Sequence, residues 1–401
     1  MQEFKHTEIG EIPKEWEVIR LGDKISLEYG KGLTESERKN GEYPVFGSNG
    51  IVGYHNGFLV KGPGIVVGRK GTIGAINWSG DNFWPIDTTY FVKITRDDVD
   101  LRWLFFKLTS LSLSKLNMAT GTPGLNRDLV YKQIILLPTP PEQRKIAEIL
   151  STVDKAIEKV DEAIEKTQRL KKGLMHELLT KGIGHKEFKD TEIGRIPREW
   201  NMMKLGEIAN VRYGLGQPPA IEANGIPMIR ATNVKRGRIA REGLVFINPN
   251  AVPNSRDPFL RAGDILVVRS GAYTGDVALV TKEWEGAVAG YDLIVTPSDN
   301  IDSQFLTYYL LSSSIQKRYF VGLKVRSAQP HLNSSQVEET PIPLPPLSEQ
   351  QKIAEILSGV DERLELLRRR KERLGRIKKG LMNDLLTGRK RIRDLRMEEG
   401  E

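Results

Sequence analysis

A chain of 401 residues exceeds what one hydrophobic core usually fills, so two or more domains are expected. Its 60 Lys and Arg against 52 Asp and Glu give a formal charge of +8, which suits a polyanionic partner but is also common among ordinary cytosolic proteins. With no cysteine, disulfides and thiolate-based metal sites or nucleophiles are excluded, and no apolar run reaches the roughly 18 residues of a membrane span.

The amino terminus, MQEFKHTEIGEIPKEW, is charged and lacks an apolar signal core, so a cytoplasmic location is expected. Residues 7–16, TEIGEIPKEW, lead to the pairs Leu21-Gly22 and Tyr29-Gly30. Residues 17–137 then show only short β-rich runs, such as 65–67 and 90–94, with one helical stretch at 101–111. Polar loops at 47–50, 68–72 and 121–127 interrupt them. Arg pairs with guanine and Asn with adenine at base edges, while Gly lets backbone approach phosphate closely. Lys31, Asn49, Arg69, Lys70, Thr72, Thr122, Asn126 and Arg127 are the candidate polar contacts here. Any single loop of this kind is read equally well as a hairpin turn with solvated charges.

After the proline-rich stop at 138–141, apolar residues recur every three and four positions, the helical period. Ile146, Ile149, Val153, Ala156, Val160, Ala163, Leu170 and Leu174 take a and d of a heptad, with Leu150, Ile157, Ile164 and Leu178 at e. The run closes on KKGLM at 171–175 and LLT at 178–180.

The second half repeats the first. TEIGRIPREW at 191–200, Leu205-Gly206 and Tyr213-Gly214 return at an offset of 184. The helix start PPEQRKIAEILS at 140–151 returns as PLSEQQKIAEILS at 346–358, and KKGLM and LLT return at 378–382 and 385–387, now at an offset of 207. The 23 additional residues lie in a middle that diverges almost completely, as expected of a duplicated frame that meets two different objects. This middle has β-rich runs at 264–268 and 293–295, a helical stretch at 303–319, and candidate contacts Arg230, Asn233, Lys235, Arg236, Arg238, Arg269, Tyr273, Arg326, Gln329, His331 and Asn333. Arg69 and Arg269 follow a β run in both copies, and Asn126 and Asn333 precede the proline-rich exit in both.

In the second helix Ile353, Ile356, Val360, Leu367, Leu374, Ile377 and Leu381 take a and d, with Leu357, Leu364 and Leu385 at e. Each helix spans about 39 residues, roughly 58 Å, and needs a partner along its length; the duplication points to the other helix as that partner, running antiparallel, the alternative being two separate amphipathic helices each packed on its own domain. The surplus of apolar e positions points to further protein packed along the coil. Symmetry places residues 4–16 near 385–387, as 188–200 follows 178–180. The expected fold class is α+β: two β-rich domains in pseudo-two-fold arrangement, joined by two long antiparallel coiled-coil helices. The expected boundaries are 1–140, helix 141–182, 183–345, helix 346–388 and a charged tail 389–401.

Sites for catalysis lack parts. There is no G-x-x-x-x-G-K-[ST], G-x-G-x-x-G or H-E-x-x-H, and the five histidines form no metal-ligand spacing. His185-Lys186-Glu187 lacks the cysteines of a zinc deaminase, and Asn248-Pro249-Asn250 does not match an adenine-methyltransferase motif. Asp87, Asp264, Asp276 and Asp292 are scattered, without paired nuclease spacing.

The duplicated T-E-I-G-x-I-P-x-E-W entries, E-Q-x-K-I-A-E-I-L helices, Lys-Lys-Gly-Leu-Met ends and a loop such as Gly68-Arg-Lys-Gly-Thr-Ile-Gly74 together resemble the specificity subunits of type I restriction-modification systems, across essentially the whole chain. The resemblance implies that each β-rich domain is a target-recognition domain reading one half of a bipartite double-stranded DNA target. It implies that the helices act as spacer and as docking surface for two methyltransferase subunits, through Ile146, Ile149, Val153, Val160, Leu174, Ile353, Ile356, Val360, Leu367 and Leu374, with restriction subunits completing the complex. S-adenosylmethionine, Mg2+ and ATP would be bound by those partners, leaving this chain without catalytic residues, metal or cofactor. The rival readings are a stand-alone DNA-modifying or DNA-cleaving enzyme with an unrecognised site, and a scaffold for proteins or glycans.

Overall fold

The computed structural model describes residues 4–392 except 9, 117–123, 218, 254, 256 and 321–330. Thr122, Arg326, Gln329 and most of the 389–401 tail therefore lie outside the described residues. The chain divides into two compact units, Met1–Glu162 with Arg368–Glu401, and Ala163–Leu367, so that each unit takes a β-rich domain and a stretch of both long helices. No helix among the described residues is long and apolar enough to cross a membrane.

The first unit opens with hairpin β1 (Phe4–Thr7) and β2 (Gly10–Pro13), followed by β3 (Glu17–Arg20), β4 (Ile25–Tyr29), β5 (Tyr43–Gly47), β6 (Gly50–His55), β7 (Gly64–Gly68), β8 (Ile76–Ser79), β9 (Trp84–Pro85) and β10 (Thr89–Ile94). Helices α1 (Leu101–Ser110) and α2 (Arg127–Tyr131), strand β11 (Ile134–Leu137) and the long α3 (Pro140–Lys181) complete the copy. An antiparallel sheet in the order β4-β10-β7-β8 packs on α1, and a smaller sheet, β6-β5-β9, pairs β5 parallel to β9. Strand β7, GIVVG, is buried along its whole length, which is why it reads as an unbroken apolar run rather than an alternating one.

The second unit has β12 (Phe188–Thr191), β13 (Gly194–Pro197), β14 (Asn201–Lys204), α4 (Leu205–Ile208), β15 (Ala209–Tyr213), β16 (Ile221–Ile229), β17 (Val234–Lys235), β18 (Arg238–Ile239), β19 (Val245–Ile247), β20 (Ile265–Val267), β21 (Val277–Leu279), β22 (Val288–Ala289) and β23 (Leu293–Pro297). Helices α5 (Ser303–Leu310), α6 (Ser313–Ile315) and α7 (Ser334–Glu338), strand β24 (Pro341–Leu344) and the long α8 (Leu347–Leu385) follow. Its sheets repeat the first unit's pattern: β15-β23-β20-β21, and β19-β16-β22 with β16 parallel to β22. The single helix expected at 303–319 is broken. Leu311 closes α5, the Ser312 and Ser314 hydroxyls bond each other at 3.1 Å, and the Gln316 amide donates to the Leu310 and Gly275 carbonyls at 2.7 and 2.9 Å.

The repeated Glu-Gln pair at each helix start is a joint. Glu142 and Glu349 accept the indole N–H of the wholly buried Trp16 and Trp200 at 2.7 and 3.1 Å. Gln143 and Gln350, also wholly buried, accept the N–H of Asp100 and Asp302, the N-caps of α1 and α5, and donate to two carbonyls each. The docking expected from symmetry is present: Leu385 and Leu386 share a core with Ile12 and Trp16, and Leu179 shares one with Trp200.

Within each unit the two long helices run antiparallel, and the residue numbers of the ion pairs Lys378–Asp154, Lys371–Asp161 and Lys171–Asp361 all add to 532. Their seam differs from the expected one. Leu150, Leu357, Leu364 and Leu385, expected at e, are buried, whereas Leu170, Ile377 and Ile356, expected at d, are 55, 43 and 37 % exposed. In the second helix the buried stripe follows a and e, because Arg363 and Arg370 stand at d and those side chains keep water. Leu150 and Leu385 are buried in the first unit's core and Leu357 in the second's, so these e residues are covered within their own units; Ile146, Val160 and Ile353 are buried, Ile149, Val153, Val360, Leu367 and Leu374 half-buried.

Candidate nucleic-acid interface

In the first unit two candidate segments converge on one carbonyl, that of Thr88, which accepts the Ser48 hydroxyl at 2.7 Å and the N–H groups of Arg69 and Lys70 at 2.9 and 3.0 Å. The turn carrying Asn49 and the loop carrying Arg69, Lys70 and Thr72 are therefore neighbours. The Arg69 carbonyl accepts the Leu125 N–H at 2.9 Å, which brings Asn126 and Arg127 alongside. The Arg69 guanidinium donates to the Asp87 carbonyl at 2.6 Å and lies 5.3 Å from the Tyr29 ring centre and 5.9 Å from that of Tyr90; Arg127 sits 5.3 Å over Tyr29 as well. Burial, followed by the hydrogen bond with Tyr29, pushes the Tyr90 phenol up to about 12, so it stays a neutral platform. Lys31 is exposed beside β9, where its carbonyl accepts the Trp84 indole at 2.8 Å.

The second unit builds the same cluster from different residues. The Arg269 carbonyl accepts the Leu332 N–H at 2.8 Å, and the Arg269 guanidinium lies 4.8 and 4.4 Å from the ring centres of Tyr213 and Tyr291 while bonding His331. Hydrogen bonds from the Ser334 hydroxyl and backbone lower the Tyr213 phenol. Beneath it, Asp292 accepts the Arg269 N–H at 3.3 Å, and burial pushes its carboxyl up to about 6. The Lys235 ammonium lies 4.7 Å over the ring of Tyr273, on the loop that Arg269 begins.

Two of the four tyrosines, Tyr29 and Tyr213, carry a repeated signal in the sequence, the following glycine. Tyr29-Gly30 and Tyr213-Gly214 recur at one offset because a Cβ on Gly30 would lie 2.2 Å from the Ile86 carbonyl oxygen, and one on Gly214 2.3 Å from that of Gly290. The glycine lets the strand end close down, and the preceding tyrosine supports the arginine.

Several candidates are occupied otherwise. Asn233 is wholly buried; its amide donates to the Ala240 and Glu242 carbonyls at 3.1 and 2.9 Å and its oxygen accepts the Arg230 N–H, so it shapes its own loop and cannot reach a base. Asn126 and Asn333 cap α2 and α7 through Asp128 and Gln336 N–H at 2.8 Å each, an N-terminal role that suffices for their parallel placement. Arg230 donates to the Gly243 carbonyl at 2.7 Å, and Arg238 pairs with Glu365 at 3.3 Å. Asp264 is engaged by Arg212 at 2.8 Å, and among the described residues no group of three or more His, Asp or Glu is placed to hold a metal.

Two units of one topology, each presenting an aromatic-braced arginine and basic loops at the same strand ends, define a duplicated protein of the nucleic-acid-binding kind. A family model described as "Type I restriction modification DNA specificity domain" matches residues 13–166 and 197–376. The chain belongs to that family, whose members are DNA-recognition subunits. It is similar to the type I restriction enzyme MjaVIII specificity subunit of Methanocaldococcus jannaschii, 30 % identical over 98 % of this chain and 97 % of that one. The EcoDI specificity subunit of Escherichia coli is 20 % identical over 86 % of this chain and 81 % of its own. Among solved structures, the S subunit of a type I restriction-modification system from M. genitalium superposes with a TM-score of 0.64 at 19 % identity, covering 92 % of this chain and 96 % of that one, a likeness of fold.

Proposed function

We propose that the chain is the cytoplasmic specificity subunit of a type I restriction-modification complex, that each unit reads one half of a bipartite double-stranded DNA target, and that the paired helices set the spacing between the halves. The observation that carries this reading is one frame built twice around dissimilar polar loops: Arg69 and Arg269 stand at equivalent places, yet the residues around them differ. In this reading Lys31, Asn49, Lys70, Thr72, Arg127, Lys235, Arg236, Tyr273 and His331 supply further contacts to DNA.

The chain itself performs no chemistry. Two methyltransferase subunits would dock along the coil, where Ile356, Leu170 and Ile377 leave apolar surface open, and restriction subunits would join through them. Methyl transfer and ATP-driven cleavage then belong to those partners.

The test is geometric. Inserting one heptad into both α3 and α8 lengthens the coil by about 10.5 Å, or roughly 3 base pairs. Sequencing the methylated sites should show a longer spacer with both half-sites kept; altered half-sites would refute the ruler. Replacing residues 17–137 with the corresponding segment of another such subunit should change one half-site only.

A further inference from the structure

The two units differ most at one point of their common topology. In the first, β5 passes to β6 through two residues, Ser48 and Asn49. In the second, the corresponding strands β16 and β19 are separated by residues 230–244, which carry Arg230, Lys235, Arg236, Arg238 and Arg241 against the single acid Glu242. Part of the extra length of the second copy is therefore a basic insertion.

The insertion is braced on every side but one. Buried Asn233 and the Arg230 side chain close its base. The hairpin β17–β18 is stitched to β21 by the Gly237 N–H to the Val277 carbonyl at 2.6 Å and the Leu279 N–H to the Gly237 carbonyl at 3.2 Å. Lys235 lies over Tyr273, Arg238 meets Glu365, and Arg241 meets Glu283. At the tip, Arg236 and Gly237 stand at φ +39° and +101°, the left-handed pair of a tight hairpin turn. A left-handed arginine is disfavoured by itself, so the surrounding bonds hold it there. Its side chain is exposed, and no hydrogen bond or ion pair to it is found among the described residues.

A contact present in both units cannot distinguish two different half-sites; a contact present in one can. We propose that residues 230–244 are the element by which the second unit discriminates its half-site, with Arg236 presented to a guanine from a two-stranded ribbon in the major groove, while the Arg69 and Arg269 clusters hold backbone phosphate in both units. The inference rests on the reading that each unit binds one DNA half-site. The ribbon matches the width of the major groove, and a guanidinium matches guanine O6 and N7 in a bidentate pair.

The experiment expresses the full chain with its methyltransferase partners and maps methylated sites for the wild type, Arg236→Ala, Arg236→Lys and Arg269→Ala. The expected result for Arg236→Ala is a roughly tenfold to hundredfold loss of preference at one guanine position of the second unit's half-site, with the other half-site intact. The domain exchange described above identifies which half that is. Arg236→Lys should restore part of that preference, and Arg269→Ala should weaken binding at all sites alike with a shallower salt dependence. The proposal is overturned if Arg236→Ala lowers methylation uniformly, leaves every position unchanged or alters the other half-site, or if Arg269→Ala changes the motif. A wild-type complex that methylates no bipartite sequence would instead defeat the underlying reading.

Discussion

Replacing Gln350 by methionine keeps its volume in a wholly buried position and removes three hydrogen bonds. The Asp302 N–H loses its acceptor at 2.8 Å, and the Asn300 and Pro345 carbonyls lose a donor at 3.1 and 2.8 Å. A buried polar group left unpaired costs about 1–3 kcal/mol, and a donor more than a carbonyl that retains a second lone pair. With the isosteric side chain adding little cavity cost, the sum is about 3–5 kcal/mol, set against the roughly 5–15 kcal/mol that holds a typical domain. Because Asp302 caps α5, the loss falls on the joint between the second unit's core and the start of α8. Gln143→Met should weaken the first unit to the same degree, through the Asp100 N–H and the Asp98 and Pro138 carbonyls. Two units need not unfold together, so hydrogen exchange resolved along the chain during urea titration is the assay. The expected result is early opening of the second unit alone in Gln350→Met and of the first alone in Gln143→Met. A change below about 1 kcal/mol at either position would refute the assignment of this repeated pair to structure.

Asp292 gives a pH prediction. Burial holds its carboxyl at about 6, above the roughly 3.9 of an unfolded chain, so the folded state binds the proton more tightly and this group's penalty is present above pH 6 and relieved as pH falls from about 6 towards 4. Asp292→Asn, which keeps an acceptor for the Arg269 N–H, should raise stability at pH 7 by about 2–3 kcal/mol and flatten the dependence between pH 4 and 6; an unchanged slope in urea midpoints would remove burial as the cause. The Lys171–Asp361 pair, 2.6 Å apart and joined by the Tyr308 hydroxyl at 2.8 Å, should show coupling when its charges are exchanged. Lys171→Asp and Asp361→Lys alone should each cost about 1 kcal/mol, and the double reversal should recover most of it. Additive losses would mean that the pair does not help fix the antiparallel register.

Local pattern made the strands and helices legible. The buried runs at 65–67 and 293–295 and the three-four spacing beyond the proline stops are properties of neighbouring residues, and they appear as β7, β23, α3 and α8. Which stripe of the second long helix would be buried was not legible in the same way: a and d and a and e both satisfy a heptad, and only in the folded chain are Ile356 and Ile377 exposed in line with the arginines at 363 and 370 while Leu357, Leu364 and Leu385 are buried. The candidate site divides along the same line. Residue type and loop placement marked Arg69, Arg269 and Arg236, but not that Asn233 is enclosed, that Asn126 and Asn333 cap helices, or that Tyr29, Tyr90, Tyr213 and Tyr291 support the arginines.

The sequence alone determined that the frame occurs twice, since the matched ends are at fixed offsets that no folding is needed to read. Only the tertiary structure decided that residues 230–244 replace a two-residue turn, because equivalence between β5 and β16 is defined by their parallel pairing with β9 and β22, and the one residue that this register makes common, Pro44 and Pro227, is too little to align them by sequence. Duplication is written in covalent order; correspondence between diverged segments exists only in the hydrogen bonds that bring distant strands together.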